Sequence, residues 1–204
     1  MRYPNRLRFG FVFFILLGGL WSLPGQALEP VSSSPPPLNE KELLPYKLKG
    51  HGSLAGQAFL SSPSGKGVTQ AGVPVHLIPI TSYTRSWFDR HIRTSSCASK
   101  SDLAPSESAT TPRTPADCAH DSLVPLLAEK RLTPYIRTTR ANPTGHFWFT
   151  KIPAGRYYIV SVMEGGTGSH QEERAVGIAW LIVDLEAGEK ETNLVVTDCR
   201  SGLC

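Results

Sequence analysis

Apolar and polar positions alternate with the two-residue period of half-buried strands in two parts of the chain. The first runs from Gly52 to Ile80, where Leu54, Gln57 and Phe59, then Val73, Val75 and Leu77, stand among smaller or polar residues. Ser61 to Gly67 between them is dense in turn formers, so the pattern predicts a hairpin. Pro74 and Pro79 lack ladder donors, so the Val73 strand is expected at a sheet edge or paired only through its other groups. The second part begins at Tyr135. Strands are expected over Tyr135–Arg140, His146–Thr150 and Arg156–Met163, with turns at Asn142–Gly145 and Ile152–Gly155. After a glycine-rich loop, Gly165 to Gln171, two more strands follow, Arg174–Leu185 and Thr192–Thr197, around a turn at Glu186–Glu189.

The period is lost between these parts. Residues 81–134 are rich in Ser, Thr, Ala and Pro and read as an insertion, with short helices at Trp87–Ile92 and Asp121–Arg131. Residues 28–48 form a Pro/Ser-rich linker, a disordered arm that buries too little apolar area to offset its ordering entropy. Within it Asn39 could cap one helical turn, which Pro45 stops. Setting arm and insertion aside leaves about 100 residues, the size of one β-sandwich.

The amino terminus has another character. Arg2, Arg6 and Arg8 precede the apolar run Phe9 to Leu23, which is shorter than the roughly 20 residues that span a bilayer. Small residues then approach Ala27, so residues 1–27 read as a signal peptide. Its loss reduces the formal charge of +4 to +1, which removes the support for a nucleic-acid partner. Export implies the periplasm or the extracellular space. The domain proper is then 49–204. Eighteen Gly and 17 Pro fit many turns and short strands.

Ala71-Gly72-Val73-Pro74-Val75-His76-Leu77-Ile78-Pro79 resembles an A-G-x-V-x-L-x-P strand. Thr144 to Phe149 with Ile152 to Ile159 resembles G-x-F-x-F-x-x-L-P-A-G-x-Y-x-L. In this order the two segments are similar to carboxypeptidase regulatory-like domains of exported bacterial proteins. That resemblance implies an all-β, prealbumin-like (transthyretin-like) Greek-key sandwich of about seven strands, serving as an accessory or binding module without a peptidase site. It also implies a core made by Val73, Val75, Leu77, Phe147, Phe149, Tyr157 and Ile159. It covers the sandwich and not the insertion.

The candidate chemistry is sparse. Cys97, Cys118, Cys199 and Cys204 are even in number and lack a C-x-x-C pair, so in an oxidising compartment they read as disulfides. Three pairings exist; Cys97 with Cys118 and Cys199 with Cys204 is favoured, the first closing a loop in the insertion. No nucleophile elbow or S-x-x-K is present. The histidines show no H-x-H or H-E-x-x-H spacing, so no cofactor is expected and a metal site would have to be assembled by the fold. One class of prealbumin-like proteins holds iron with two Tyr and two His, and that resemblance implies Tyr135, Tyr157, Tyr158, His146 and His170 as the candidates. The binding clue is aromatic. Trp148 lies between inward Phe147 and Phe149 and should face outward, and Trp87 and Phe88 join it as candidates, with Arg140 and Lys151 nearby; the other reading is that these rings pack on one another and cover the sheet face. Charge divides unevenly: Arg85 to Arg156 holds 11 basic and 6 acidic residues, Tyr157 to Cys204 3 and 8. The expectation is an exported, non-catalytic envelope module that binds protein, peptide or carbohydrate. A small metal-dependent secreted enzyme is the rival.

Overall fold

In the computed structural model, residues 36–62, 65–93, 123–165 and 175–198 are described. Nine strands are β1 (Gly52–Ala58), β2 (Leu60–Ser61), β3 (Gly67–Val68), β4 (Pro74–Pro79), β5 (Arg137–Arg140), β6 (His146–Ile152), β7 (Gly155–Gly165), β8 (Ala175–Leu185) and β9 (Lys190–Val196). Seven of them build two sheets, ordered β6-β1-β9 and β5-β4-β7-β8; β2 and β3 pair as a small separate ribbon. The chain changes sheets between β3 and β4, β5 and β6, β6 and β7, and β8 and β9, giving an all-β Greek-key sandwich.

Period-two alternation builds the interior. Leu54 and Ala58 of β1, Phe147 and Phe149 of β6 and Val196 of β9 meet Val75 and Leu77 of β4, Tyr157 and Ile159 of β7 and Val183 of β8. Val73 is buried in the same cluster.

Two expectations about pairing are corrected. β1 and β4 do not form a hairpin: β1 pairs with β6 and β9 in one sheet, and β4 with β5 and β7 in the other. The turn formers between them serve the β2–β3 ribbon instead, where Leu60 pairs with Val68. Alternation fixes which side chains face inward but not which strand lies alongside. Nor is β4 an edge strand. Pro74 and Pro79 are its first and last residues, where a missing donor interrupts little of the ladder, and the strand runs between β5 and β7.

The outer side of the four-stranded sheet is buried as well. Tyr158 and Val160 of β7 and Ile78 of β4 join Leu38, Leu43, Trp87, Phe88, Leu123, Leu126 and Leu132 in a second core. The linker expected over 28–48 is therefore, from residue 36 on, part of the folded unit. Asn39 caps helix α1 (Glu40–Leu43), which passes into a 3-10 turn over Leu44–Lys47 with Pro45 at its start. The ends of the insertion supply helix α2 (Ser82–Phe88), a π-helical turn over Asp89–Arg93, and a helical segment at 123–127. A reciprocal Thr81–Thr84 capping box starts α2. Glu42 accepts from the Ser82 backbone N–H and hydroxyl, which ties the arm to α2 and holds its carboxyl below the ordinary carboxylate range. Tyr46 fastens the arm at a second point. Its hydroxyl lies 3.0 Å from the Arg156 carbonyl and 3.3 Å from that of Ile80. Its ring meets Tyr157 edge-on at 5.2 Å and occupies the space a Cβ on Gly155 would need, 2.7 Å from that position.

Candidate functional site

The two sheets differ in how they are covered. Helices close the outer side of β5-β4-β7-β8, whereas the outer side of β6-β1-β9 carries no helix among the described residues.

On β6, Phe147 and Phe149 turn into the core, with rings 5.9 Å apart and edge-to-face. The residue between them must then point outward, and Trp148 is 59% exposed. Its register partner on β1 is Ala55, too small to cover the indole. The next outward row pairs Gln57 with His146. Gln57 donates through Nε2 to the Thr144 carbonyl at 2.7 Å, which leaves its Oε1 as an acceptor. The Thr144 hydroxyl donates to Asn142 Oδ1 at 2.9 Å, so the 2.9 Å contact between that hydroxyl and His146 Nδ1 takes its proton from the imidazole.

β9 closes the other side through a bulge. The register passes from Leu54 opposite Glu191 to Gly56 opposite Leu194, so Thr192 and Asn193 both stand against Ala55. Asn193 takes the left-handed conformation at φ 64°, which Asn tolerates better than most residues. Beyond it Leu194 packs on the core, and Val195 turns outward at 54% exposure. Glycine at position 56 permits this: a Cβ there would lie 2.4 Å from the Leu194 carbonyl oxygen. Together Ala55, Gln57, His146, Trp148, Asn193 and Val195 frame an open groove of about 400 Å³.

The other candidates lie elsewhere. Trp87 and Phe88, read either as binding aromatics or as rings that cover the sheet face, are buried and take the covering role in the second core, so they are corrected as binding residues. Phe88 stacks on Tyr158 with centroids 4.0 Å apart and meets Trp180 edge-on at 5.3 Å. Half of helix α2 has to face the sheet, and these two rings form that half. Arg140 sits at the edge of the other sheet and donates to the Gly72 carbonyl at 2.6 Å. Lys151, on the same strand as Trp148, is the extra residue in the β6 register, exposed at φ 57°.

The residues of the metal rival do not converge. Tyr157 is in the inner core with its hydroxyl donating to the Pro153 carbonyl, Tyr158 is in the outer core, and His146 is on the opposite face of the sandwich. His170 lies outside the described residues, as do Cys97, Cys118, Cys199 and Cys204. His76 of β4 contacts the Thr138 hydroxyl at 3.0 Å, and burial pushes its pKa down to about 4.

Sequence reasoning reached Trp148 and missed Gln57, Asn193 and Val195. A strand ending Thr-Asn-Leu-Val-Val opposite a Gly-bearing strand is the available signal, yet it needs the β1–β9 pairing to be read.

No protein-family model matches the chain. No curated protein matches it either. The carboxypeptidase regulatory-like resemblance thus stands on the two strand motifs. Among solved structures, the chain is similar to a "putative carbohydrate binding protein" from Pseudomonas aeruginosa at 21% identity and a TM-score of 0.56, covering 80% of this chain and 99% of that one. It is also matched to a minor pilin of Streptococcus agalactiae, at 15% identity and a TM-score of 0.30 over 72% of this chain and 49% of that one. A pilus backbone protein of Streptococcus pneumoniae follows at 9% and 0.26, over 71% and 41%. The first likeness supports the sandwich fold; the pilin scores carry no structural argument.

Proposed function

We propose that this protein is an exported, non-catalytic module of the cell envelope that binds carbohydrate on the open face of the β6-β1-β9 sheet. The observation that carries this reading is Trp148, an indole held outward by the two phenylalanines beside it and left uncovered by Ala55. A flat apolar ring bordered by amide and imidazole groups suits a sugar, which has an apolar C–H face and a rim of hydroxyls. The Pseudomonas sandwich, whose description names carbohydrate binding, supports the same class. Export is supported by the basic and apolar amino terminus, and membership of the carboxypeptidase regulatory-like group by the motifs around Val73 and Phe147.

The test is native affinity electrophoresis of the mature chain through gels containing soluble polysaccharides. Trp148→Ala should abolish retardation while leaving the melting temperature unchanged, because the indole is mostly exposed. Equal retardation of variant and parent would sink the proposal.

A further inference from the structure

The groove beside Trp148 is polar without being ionic. Among the described residues, no carboxylate, ammonium or guanidinium lines it. The nearest formal charges along its strands are Lys151, Lys190 and Glu191, at the end where Ser53 pairs with Thr150 and Lys190. Sites for uronate, sulfate or phosphate groups are built from Arg or Lys, whose N–H donors meet the anion in charge-assisted bonds. Here the lining offers amides and an imidazole instead. Gln57 gives one N–H to the Thr144 carbonyl and keeps its Oε1 and second N–H for the ligand, while His146 Nδ1 is engaged by the Thr144 hydroxyl. An anion would give up its hydration here without a charged partner in return. Sugar hydroxyls can both donate to the Gln57 carbonyl oxygen and accept from its remaining N–H. The bulge adds Asn193, whose amide both donates and accepts, opposite the small Ala55. Rows along a strand are spaced two residues, roughly 7 Å, and the three strands span about 10 Å, which is room for sugar rings lying flat on the sheet.

Resting on the carbohydrate reading above, we infer that the groove selects an uncharged polysaccharide. A neutral pyranose ring lies over Trp148 and Ala55 with its hydroxyls toward Gln57, His146 and Asn193, and acidic or sulfated chains are refused. Asn193 adds to the hold on the sugar, since it is the groove's exposed amide not spent on holding the turn at Thr144.

The experiment compares gels containing neutral polymers (hydroxyethylcellulose, laminarin, dextran) with gels containing anionic ones (alginate, polygalacturonate, heparin), each at low and at roughly 0.5 M salt. Retardation by a neutral polymer, insensitive to salt, is expected. Trp148→Ala should weaken it at least about 30-fold, the ratio for a loss of about 2 kcal/mol. Asn193→Gly keeps the positive φ without strain, so it should melt as the parent does and bind up to about tenfold more weakly, the worth of one hydrogen bond. Unchanged affinity in Asn193→Gly overturns its role in holding the sugar. Retardation confined to anionic polymers and lost in salt overturns the neutral selectivity, and leaves a glycan on this face if Trp148→Ala abolishes it. No retardation by any polymer overturns this inference and the carbohydrate reading together.

Discussion

Replacing Gly56 with alanine tests both the fold and the groove. A Cβ at this position of β1 lies 2.4 Å from the Leu194 carbonyl oxygen and 2.7 Å from the Leu194 Cβ, where ordinary contact begins near 3.4 Å. β9 must therefore retreat by about 1 Å, against the pairing that holds Leu194 and Val195 to β1. Overpacking of this kind costs about 1–3 kcal/mol. The lower chain entropy of alanine returns about 0.5–1 kcal/mol. A net loss of about 1–2 kcal/mol lowers the melting temperature by about 2–8 °C for a domain of this size. The retreat also moves Asn193 and Val195 away from Trp148, so glycan retardation should weaken together with stability. Gly177→Ala is the control. Among the described residues its added Cβ would meet only Leu60 Cδ2 at 3.9 Å, so it should be neutral or raise stability by up to about 1 kcal/mol. Calorimetry of the two variants checks the sign of each; a Gly56→Ala protein as stable as the Gly177→Ala one would refute the close approach of β9.

Phe88→Ala removes the ring stacked on Tyr158 and should cost about 3–5 kcal/mol in urea denaturation, because the buried site between Trp87, Trp180 and the sheet cannot collapse fully. Tyr46→Phe deletes the hydroxyl contact to Arg156 and should cost about 0.5–1.5 kcal/mol, with faster hydrogen exchange confined to the arm around residues 36–48; protection equal to the parent's would count against the latch. His76 has a native pKa of about 4 against an ordinary 6.5, so between those values the unfolded chain binds more protons. Stability is therefore fully present above pH 6.5 and falls as the pH drops toward 4, by about 2–3 kcal/mol after allowance for partial exposure. His76→Gln should flatten that part of the stability–pH curve, and an unchanged slope would show that burial of His76 is not its source.

Much of this protein follows from local rules that need no knowledge of the fold. The period-two alternation in Val73–Leu77 and Phe147–Phe149 places its side chains on alternate faces wherever the strand lies, so the buried core and the outward Trp148 were both legible. The turns at Asn142–Gly145 and Ile152–Gly155 were equally local, since Gly145 at φ 81° and Gly155 at φ 151° adopt backbone that other residues resist.

Pairing was not local. β1 lies between β6 and β9, strands that follow it by about 90 and 140 positions, and no short-range pattern states that choice. The same holds for Trp87 and Phe88, whose apolarity suits a binding surface and a covering layer equally. Only the outward side of β7, with Tyr158 and Val160 needing cover, decides between them. The second core also draws Leu38 and Leu43 out of a Pro/Ser-rich stretch whose composition promised only a linker. The groove belongs to the tertiary structure for the same reason. Ala55, Trp148 and Asn193 come from three strands, and they meet because Gly56 lets a bulged β9 lie closer than any side chain would allow.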